Sequence, residues 1–176
     1  MKSTVLTFLF IAFTTLSFSQ EVSYGVRGGL NISNLDFDPD ATFTNQHRNG
    51  FAFGGFVDYG ITENFSAYLE IQYSAEGGKA DELRADYIQL PIMARFAIGD
   101  KFTLGVGPMA SLKTWKNQDG FSTFTFSGVG GVEYMINDEL FIDARVHYGL
   151  SNILDKDLTD LEAQNTTFQF GFGIKI

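Results

Sequence analysis

Residues 65–74 alternate strictly between apolar and polar side chains. The odd positions carry Phe65, Ala67, Leu69, Ile71 and Tyr73, and the even positions carry Ser66, Tyr68, Glu70, Gln72 and Ser74. Side chains of a β-strand point alternately to its two faces, so this stretch predicts a strand with one apolar face and one polar face. A chain built from such segments must enclose one face of its sheet and expose the other.

The same alternation recurs in seven further segments. They are residues 22–32, 51–59, 87–98, 102–113, 122–136, 140–150 and 167–176. The connections between the eight segments alternate between long polar stretches and short turns, and charges of both signs fall on the polar faces. Short turns at one end, longer loops at the other and an apolar face directed into lipid are typical of membrane barrels. The sequence therefore predicts an all-β fold, an eight-stranded antiparallel up-and-down transmembrane β-barrel.

Pro91 falls within the fourth predicted strand. Proline cannot donate a ladder hydrogen bond, so it is usually confined to edge strands and bulges. This position therefore marks a candidate bulge.

Composition narrows the function classes. The net charge of −9 argues against nucleic acid as a partner, because phosphate binding requires a basic face. The chain has no cysteine, which excludes disulfides, thiolate zinc sites and a lipid-modified N-terminal cysteine. Phe and Gly each occur 19 times and Pro only 3 times, a composition that favours strands over helices.

The first residues have the pattern of a secretory signal peptide. Lys2 provides a basic start, residues 5–16 form an apolar run, and small residues flank Phe18. The run is shorter than the roughly 20 residues of a membrane-spanning helix. We expect residues 1–19 to be the signal peptide and residues 20–176 to form the barrel domain.

The polar faces of the strands contain a nearly balanced set of charges. The residues expected to face inward are Arg27, Asp58, Glu70, Arg95, Lys113, Glu133, Asp143, Arg145, His147 and Lys175. An unpaired charge in a poorly solvated lumen is very costly, and an eight-stranded barrel is just wide enough for side chains to fill it. We therefore predict a charge-paired, plugged lumen, in which inward-facing glycines make room for the long charged side chains.

Most of the excess negative charge falls in the predicted long loops. Asp36, Asp38 and Asp40 alternate in the first of them, as carboxylates do at the start of a calcium loop. They lack the glycine and the downstream glutamate of an EF-hand, so a solvated acidic loop is the favoured interpretation and no metal or cofactor is expected. Such loops can also meet divalent ions at a lipopolysaccharide surface.

Three other interpretations fit the sequence less well. Ser127, His147 and Asp143 can be drawn as a catalytic triad, although a hydrogen-bonded lumen histidine is far commoner, and His47 has less support. A soluble lipocalin-like barrel would also have eight alternating strands, but its interior would be mostly apolar. The glycines at 128, 130 and 131 lie inside a predicted strand, which does not fit a dinucleotide fingerprint.

Five motifs resemble a known family. In chain order they are YGVRGGLNIS at residues 24–33, GGFVDYG at 54–60, YIQLPIM at 87–93, GVGPM at 105–109 and FIDARVHYGLSNI at 141–153. In this the chain resembles PorT-type outer-membrane β-barrel proteins over its whole length after residue 19. The resemblance implies a small barrel in the outer membrane of a Gram-negative bacterium and supplies no catalytic residues.

Three classes of function remain open from the sequence. The favoured one is a monomeric structural or surface-interaction protein that contacts outer-membrane lipid and lipopolysaccharide, with a protein partner at its outer loops. The alternatives are a narrow pore for ions or small solutes and, more remotely, a lipid-modifying enzyme.

Overall fold

Eight antiparallel strands close into a barrel in a computed structural model of the protein, which describes residues 21–40, 42–43, 45–114, 120–155 and 161–176. The strands are β1 Val22–Asp38, β2 Arg48–Thr62, β3 Phe65–Gly77, β4 Arg84–Ile98, β5 Phe102–Lys113, β6 Phe124–Met135, β7 Leu140–Gly149 and β8 Glu162–Lys175. Each strand pairs with the next, and β8 pairs with β1. The predicted fold is confirmed. The predicted signal peptide, residues 1–19, lies outside the described residues.

The polar face of the sheet points inward. In β3, Leu69 and Ile71 are 47% and 60% exposed, whereas Glu70 and Gln72 are each 1% exposed. The same inversion holds around the barrel, with Phe, Leu, Ile and Val side chains outside. A surface of this kind suits lipid and not water, so the lipocalin-like alternative is wrong. The described part of the chain contains no helix with the length and apolarity of a membrane span.

Several strands continue into stretches that the sequence pattern predicted as loops. β1 extends to Asp38, β3 to Gly77, and β8 already begins at Glu162. The reason lies in the inward positions, because Leu35 and Phe37 are buried at the end of β1. The expectation of a loop from residue 33 is therefore wrong, and Asp36 and Asp38 lie on a strand with exposed side chains.

Pro91 does not mark a bulge. On one side of it Leu69 pairs with Ile92, and on the other Gln72 pairs with Gln89, so the register of β3 against β4 is unchanged. Pro91 has no backbone N–H, so it interrupts the hydrogen-bond ladder without changing the strand register. The register shift lies instead between Gly60 and Thr62, where β2 turns toward β3.

An apolar cluster packs inside the barrel at the end that carries the long loops. We call it the apolar cap, and it comprises Leu35, Phe37, Ala85, Tyr87, Phe121, Ile153, Leu154 and Ala163. An isolated bridge between Phe121 and Leu154 joins two of the long connections over it. Nζ of Lys113 donates a hydrogen bond to the carbonyl oxygen of Phe121 at 2.8 Å, which ties the end of β5 to the cap.

Candidate functional site: a charged barrel lumen

Four charged side chains form a closed ring of alternating sign in the middle of the lumen. Arg27 holds Asp143 through two hydrogen bonds, Nε to Oδ2 at 2.8 Å and Nη2 to Oδ1 at 2.5 Å. Nη1 of Arg145 lies 2.6 Å from Oε2 of Glu70. The ring closes through longer contacts, Arg145 to Asp143 at 3.8 Å and Arg27 to Glu70 at 3.6 Å. We call these residues the central ring; each charge in it has two opposite neighbours.

A second ring of alternating charge lies nearer the short turns. Arg95 contacts Oδ2 of Asp58 at 2.8 Å and Oε1 of Glu133 at 2.5 Å. Nζ of Lys175 lies 3.1 Å from the same oxygen of Glu133 and 3.8 Å from Oδ2 of Asp58. We call this set the basal ring. Its members come from β2, β4, β6 and β8, so the ring spans the whole circumference of the barrel.

Tyr68 connects the two rings. Its hydroxyl donates to Oε2 of Glu70 at 2.7 Å and accepts a hydrogen bond from Nη2 of Arg145 at 3.0 Å. Its ring lies 4.9 Å from the guanidinium carbon of Arg95 and 5.3 Å from that of Arg145. Cation–π attraction is strongest where the cation is desolvated, as both arginines are here. Tyr68 therefore stabilises guanidinium groups of both rings at once.

Glu76 is a lumen residue that the sequence reasoning placed in a loop. It is 3% exposed and accepts hydrogen bonds from Ser74, Gln89 and Asn165 at 2.7, 2.9 and 2.6 Å. The signal for it was present, because the alternation of β3 continues past Ser74 and places residue 76 on the inward face. With Glu76 included, the inward set has five basic and five acidic groups.

Amides and apolar side chains occupy the remaining space. Gln72, Gln89, Gln169 and Asn31 are each at most 1% exposed. An apolar layer of Phe56, Tyr68, Met93, Met109, Val129 and Phe141 fills the lumen beside the charged rings. A small void of about 20 Å³ lies beside Tyr68, Arg95 and Arg145, which is room for one water molecule.

Inward-facing glycines leave the space that the charged side chains fill. A Cβ atom on Gly171 would lie 2.5 Å from Nη2 of Arg27 and 3.0 Å from Oδ1 of Asp143. A Cβ atom on Gly131 would lie 2.8 Å from Cγ of Arg145. Side chains at these positions would displace members of the central ring.

Ser127, His147 and Asp143 do not form a catalytic triad. The carboxylate of Asp143 binds Arg27, and neither ring nitrogen of His147 has a hydrogen-bond partner in the described structure. The nearest acid to His147 is Glu76, with Nδ1 and Oε1 separated by 3.7 Å. The triad interpretation of Ser127, His147 and Asp143 is therefore wrong. His47 is exposed and bridges to Gly78 through its backbone.

The three aspartates that resemble the start of a calcium loop are not arranged around a common centre in the described structure. Asp36, Asp38 and Asp40 are exposed, and the first two project outward from β1. Within the described ranges no three His, Cys, Asp or Glu side chains are close enough together to hold a metal ion. Two further acids of the connection before β8, Asp157 and Asp160, lie outside the described residues.

The barrel has a closed sheet, an apolar outer face and a lumen filled with polar side chains, which is the arrangement of a membrane β-barrel. A family comparison of the sequence agrees with this arrangement. Residues 3–175 match the family model of the outer membrane protein β-barrel domain. The chain belongs to this family. It is an outer-membrane protein. A comparison with curated proteins found no match.

Solved structures support the same fold. Neisserial surface protein A is 14% identical with a TM-score of 0.59, over 89% of this chain and 99% of that one. Ail, the attachment invasion locus protein of Yersinia pestis, is 16% identical with a TM-score of 0.53, over the same shares of the two chains. It was solved in complex with the heparin analogue sucrose octasulfate. Identities this low show the shared barrel and nothing about ligands.

Proposed function

We propose that this barrel is a PorT-type structural and surface-interaction protein that works as a monomer, with a closed lumen and outer loops that meet its partners. The observation that carries the proposal is the pair of closed charge rings beneath the apolar cap. An aqueous pore needs a continuous water path, whereas here Arg27, Arg95 and Arg145 cross the lumen and are each at most 7% exposed. A barrel filled in this way acts as an anchor for its loops.

The charge of the loop end indicates which partners it suits. Exposed acids project there from β1 and from the connection before β4, including Asp36, Asp38, Asp81 and Glu82. Two arginines at this end already have acidic partners, since Arg48 binds Asp86 and Arg84 binds Asp81. Ail was solved with the heparin analogue sucrose octasulfate, a polyanion, whereas an acidic surface repels polyanions. We therefore propose a basic protein surface, or lipopolysaccharide bridged by divalent cations, as the partner of this end.

Single-channel conductance in a planar bilayer tests the closed lumen. We expect the refolded natural protein to show no steady conductance. The Arg95→Ala, Arg145→Ala double variant removes one cation from each ring and is expected to leak. The matched control, Arg48→Ala with Arg84→Ala, removes two cations outside the rings and is expected to stay closed. Reproducible conductance of the natural protein would overturn the proposal and favour a pore.

Lipopolysaccharide binding tests the loop end separately. The Asp36→Asn, Asp38→Asn, Asp40→Asn variant should lose binding that depends on magnesium, because the bridging carboxylates are gone. Asp100→Asn, Asp138→Asn and Glu63→Gln make the same charge change at the opposite end and should have no effect. Magnesium-independent binding, equal in both variants, would count against divalent bridging.

A further inference from the structure

The outer face of the barrel contains an apolar groove of about 660 Å³, which we call the wall groove. Five adjacent strands, β8 and β1 to β4, contribute outward-facing positions to its lining, and these include Ile174, Val26, Gly55, Ile71 and Leu90. Phe56 and Glu70 also border it, but their side chains point into the lumen and are buried. The side chains that face the groove are therefore aliphatic, apart from Tyr24 at its edge.

Gly55 forms the floor of the wall groove. It pairs with Val26 on one side and with Ile71 on the other, and both neighbours carry side chains that project outward. A Cβ atom at Gly55 would have the backbone oxygen of Gly25, at 3.6 Å, as its nearest neighbour, so the space above this residue is open. The missing side chain therefore leaves a depression between two aliphatic walls.

The wall groove spans the depth of one membrane leaflet. Tyr24 lies close to the start of β1 at the short-turn end, and Ile71 lies six residues after Phe65, the first residue of β3. With a rise of about 3.3 Å per residue and a tilt of about 40°, six residues reach a depth of about 15 Å, half of a hydrocarbon core of about 30 Å. Short turns lie on the periplasmic side, so the groove extends from the periplasmic interface to the midplane.

The position of the wall groove indicates what fills it. The groove is continuous with the apolar outer face, which contacts membrane lipid in an outer-membrane protein. Water finds no hydrogen-bond partner on an aliphatic lining, and an empty space forfeits van der Waals contacts. A second barrel has a convex wall that does not follow a depression across five strands. A flexible hydrocarbon chain does follow it.

We propose that the wall groove binds one acyl chain of a phospholipid of the periplasmic leaflet. The chain lies over Gly55 between Val26 and Ile71, and its end reaches the midplane near Leu90. The headgroup lies near Tyr24, which is 56% exposed and carries a hydroxyl donor at the depth where interfacial aromatic residues occur. This site is on the outer wall, so it does not depend on the closed lumen or on the partners of the loop end.

Photo-crosslinking of the barrel refolded in phospholipid vesicles tests the proposal. The probe is phosphatidylethanolamine with a diazirine at the end of one acyl chain, and peptide mass spectrometry identifies the labelled residues. Ile71 in the groove is compared with Val106 on β5, which does not line the groove and has the same exposure of 60%. We expect Ile71 to be labelled several times more strongly than Val106.

Two glycine variants form a matched pair. Gly55→Leu fills the floor of the groove beside Ile71, and the labelling of Ile71 should fall to the level at Val106. Gly130→Leu places the same side chain beside Val106, because Gly130 pairs with that residue as Gly55 pairs with Ile71. A Cβ atom at Gly130 would also have open space, with the backbone oxygen of Gly105 nearest at 3.9 Å. This control should leave the labelling of Ile71 unchanged, and heat-modifiable gel migration reports that both variants fold.

Three results would overturn the proposal. Equal labelling of Ile71 and Val106 in the natural protein would show that lipid covers the wall evenly, and labelling of Ile71 that survives Gly55→Leu would place the bound chain elsewhere. Stronger labelling of Ile71 by lipopolysaccharide with the same diazirine would assign the groove to the outer leaflet. Loss of the label as the protein-to-lipid ratio rises, together with crosslinked dimers, would assign it to a second copy of the barrel.

Discussion

Oε2 of Glu70 lies 2.6 Å from Nη1 of Arg145, although the two residues are 75 positions apart in the chain. Glu70 lies on β3 and Arg145 on β7, strands separated by half the circumference of the barrel. The contact therefore crosses the lumen and does not follow the sheet. Arg27 and Asp143, on β1 and β7, make a second internal contact beside it. The barrel is braced by side chains that meet inside it as well as by its ladder.

Removing one partner of this contact should strongly destabilise the barrel. Arg145→Met leaves the buried Glu70 with the Tyr68 hydrogen bond and with Arg27, at 3.6 Å, as its remaining cation. Breaking a buried ion pair in this way costs about 3–5 kcal/mol. Urea unfolding of protein refolded into lipid vesicles measures the loss. The double variant Arg145→Met, Glu70→Met removes both charges and should be more stable than the single variant. A double variant that is as unstable as the sum of the two single variants would contradict direct coupling.

The alternation of side chains made the inward set predictable from sequence, because parity alone decides which face a strand residue occupies. Parity could not decide where strands end. Asn34, Asp36 and Asn165 are polar residues on strands, and such residues look like loop residues when the membrane boundary is unknown. Glu76 was missed for this reason.

The sequence also could not predict which lumen charges pair with each other. Arg27 meets Asp143 across 116 residues. Which charges meet depends on the stagger of all the strands between them and on how far each side chain reaches across the lumen. Parity determines the face of each residue but neither of these quantities. The pairing within the two rings therefore could not be predicted from the sequence, whereas the near balance of inward charge could.

A methyl group at Gly171 should disturb the central ring. In Gly171→Ala the new Cβ would meet Arg27 and Asp143 within 3.0 Å, and overpacking of this kind costs about 1–3 kcal/mol. Gly128→Ala is the matched control, because the nearest heavy atom to its Cβ is Cδ1 of Leu150 at 4.0 Å. Urea midpoints of the two variants should differ clearly. Equal midpoints would show that the ring adjusts without cost.

A charge on the outer face should be tolerated only near the membrane boundary. Ile71 is 60% exposed in the middle of β3, and Val22 is 49% exposed at the short-turn end of β1. Arginine costs about 2–4 kcal/mol at the bilayer midplane and about 0–1 kcal/mol near the interface. Ile71→Arg should therefore destabilise the vesicle-embedded protein much more than Val22→Arg. Equal losses would contradict the proposed depth of these residues.

The apolar cap and the charge rings should make separable contributions. Leu35 is 1% exposed within the cap, and truncation of a buried leucine costs about 2–5 kcal/mol. Leu35→Ala should lower stability by that amount while the bilayer conductance stays at zero, because both rings still cross the lumen below. Asn34→Ala, one residue away with an exposed side chain, is the control and should change neither quantity.

The Leu35→Ala measurement also identifies which element closes the barrel. If the loosened cap alone produced steady conductance, the rings would be permeable and closure would belong to the cap. In that case the triple variant Leu35→Ala, Arg95→Ala, Arg145→Ala should conduct no more than Leu35→Ala alone. If the rings close the barrel, the Arg95→Ala, Arg145→Ala variant should conduct whether or not the cap is intact. Leu35→Ala should then increase the conductance of that variant and leave the conductance of the natural protein at zero.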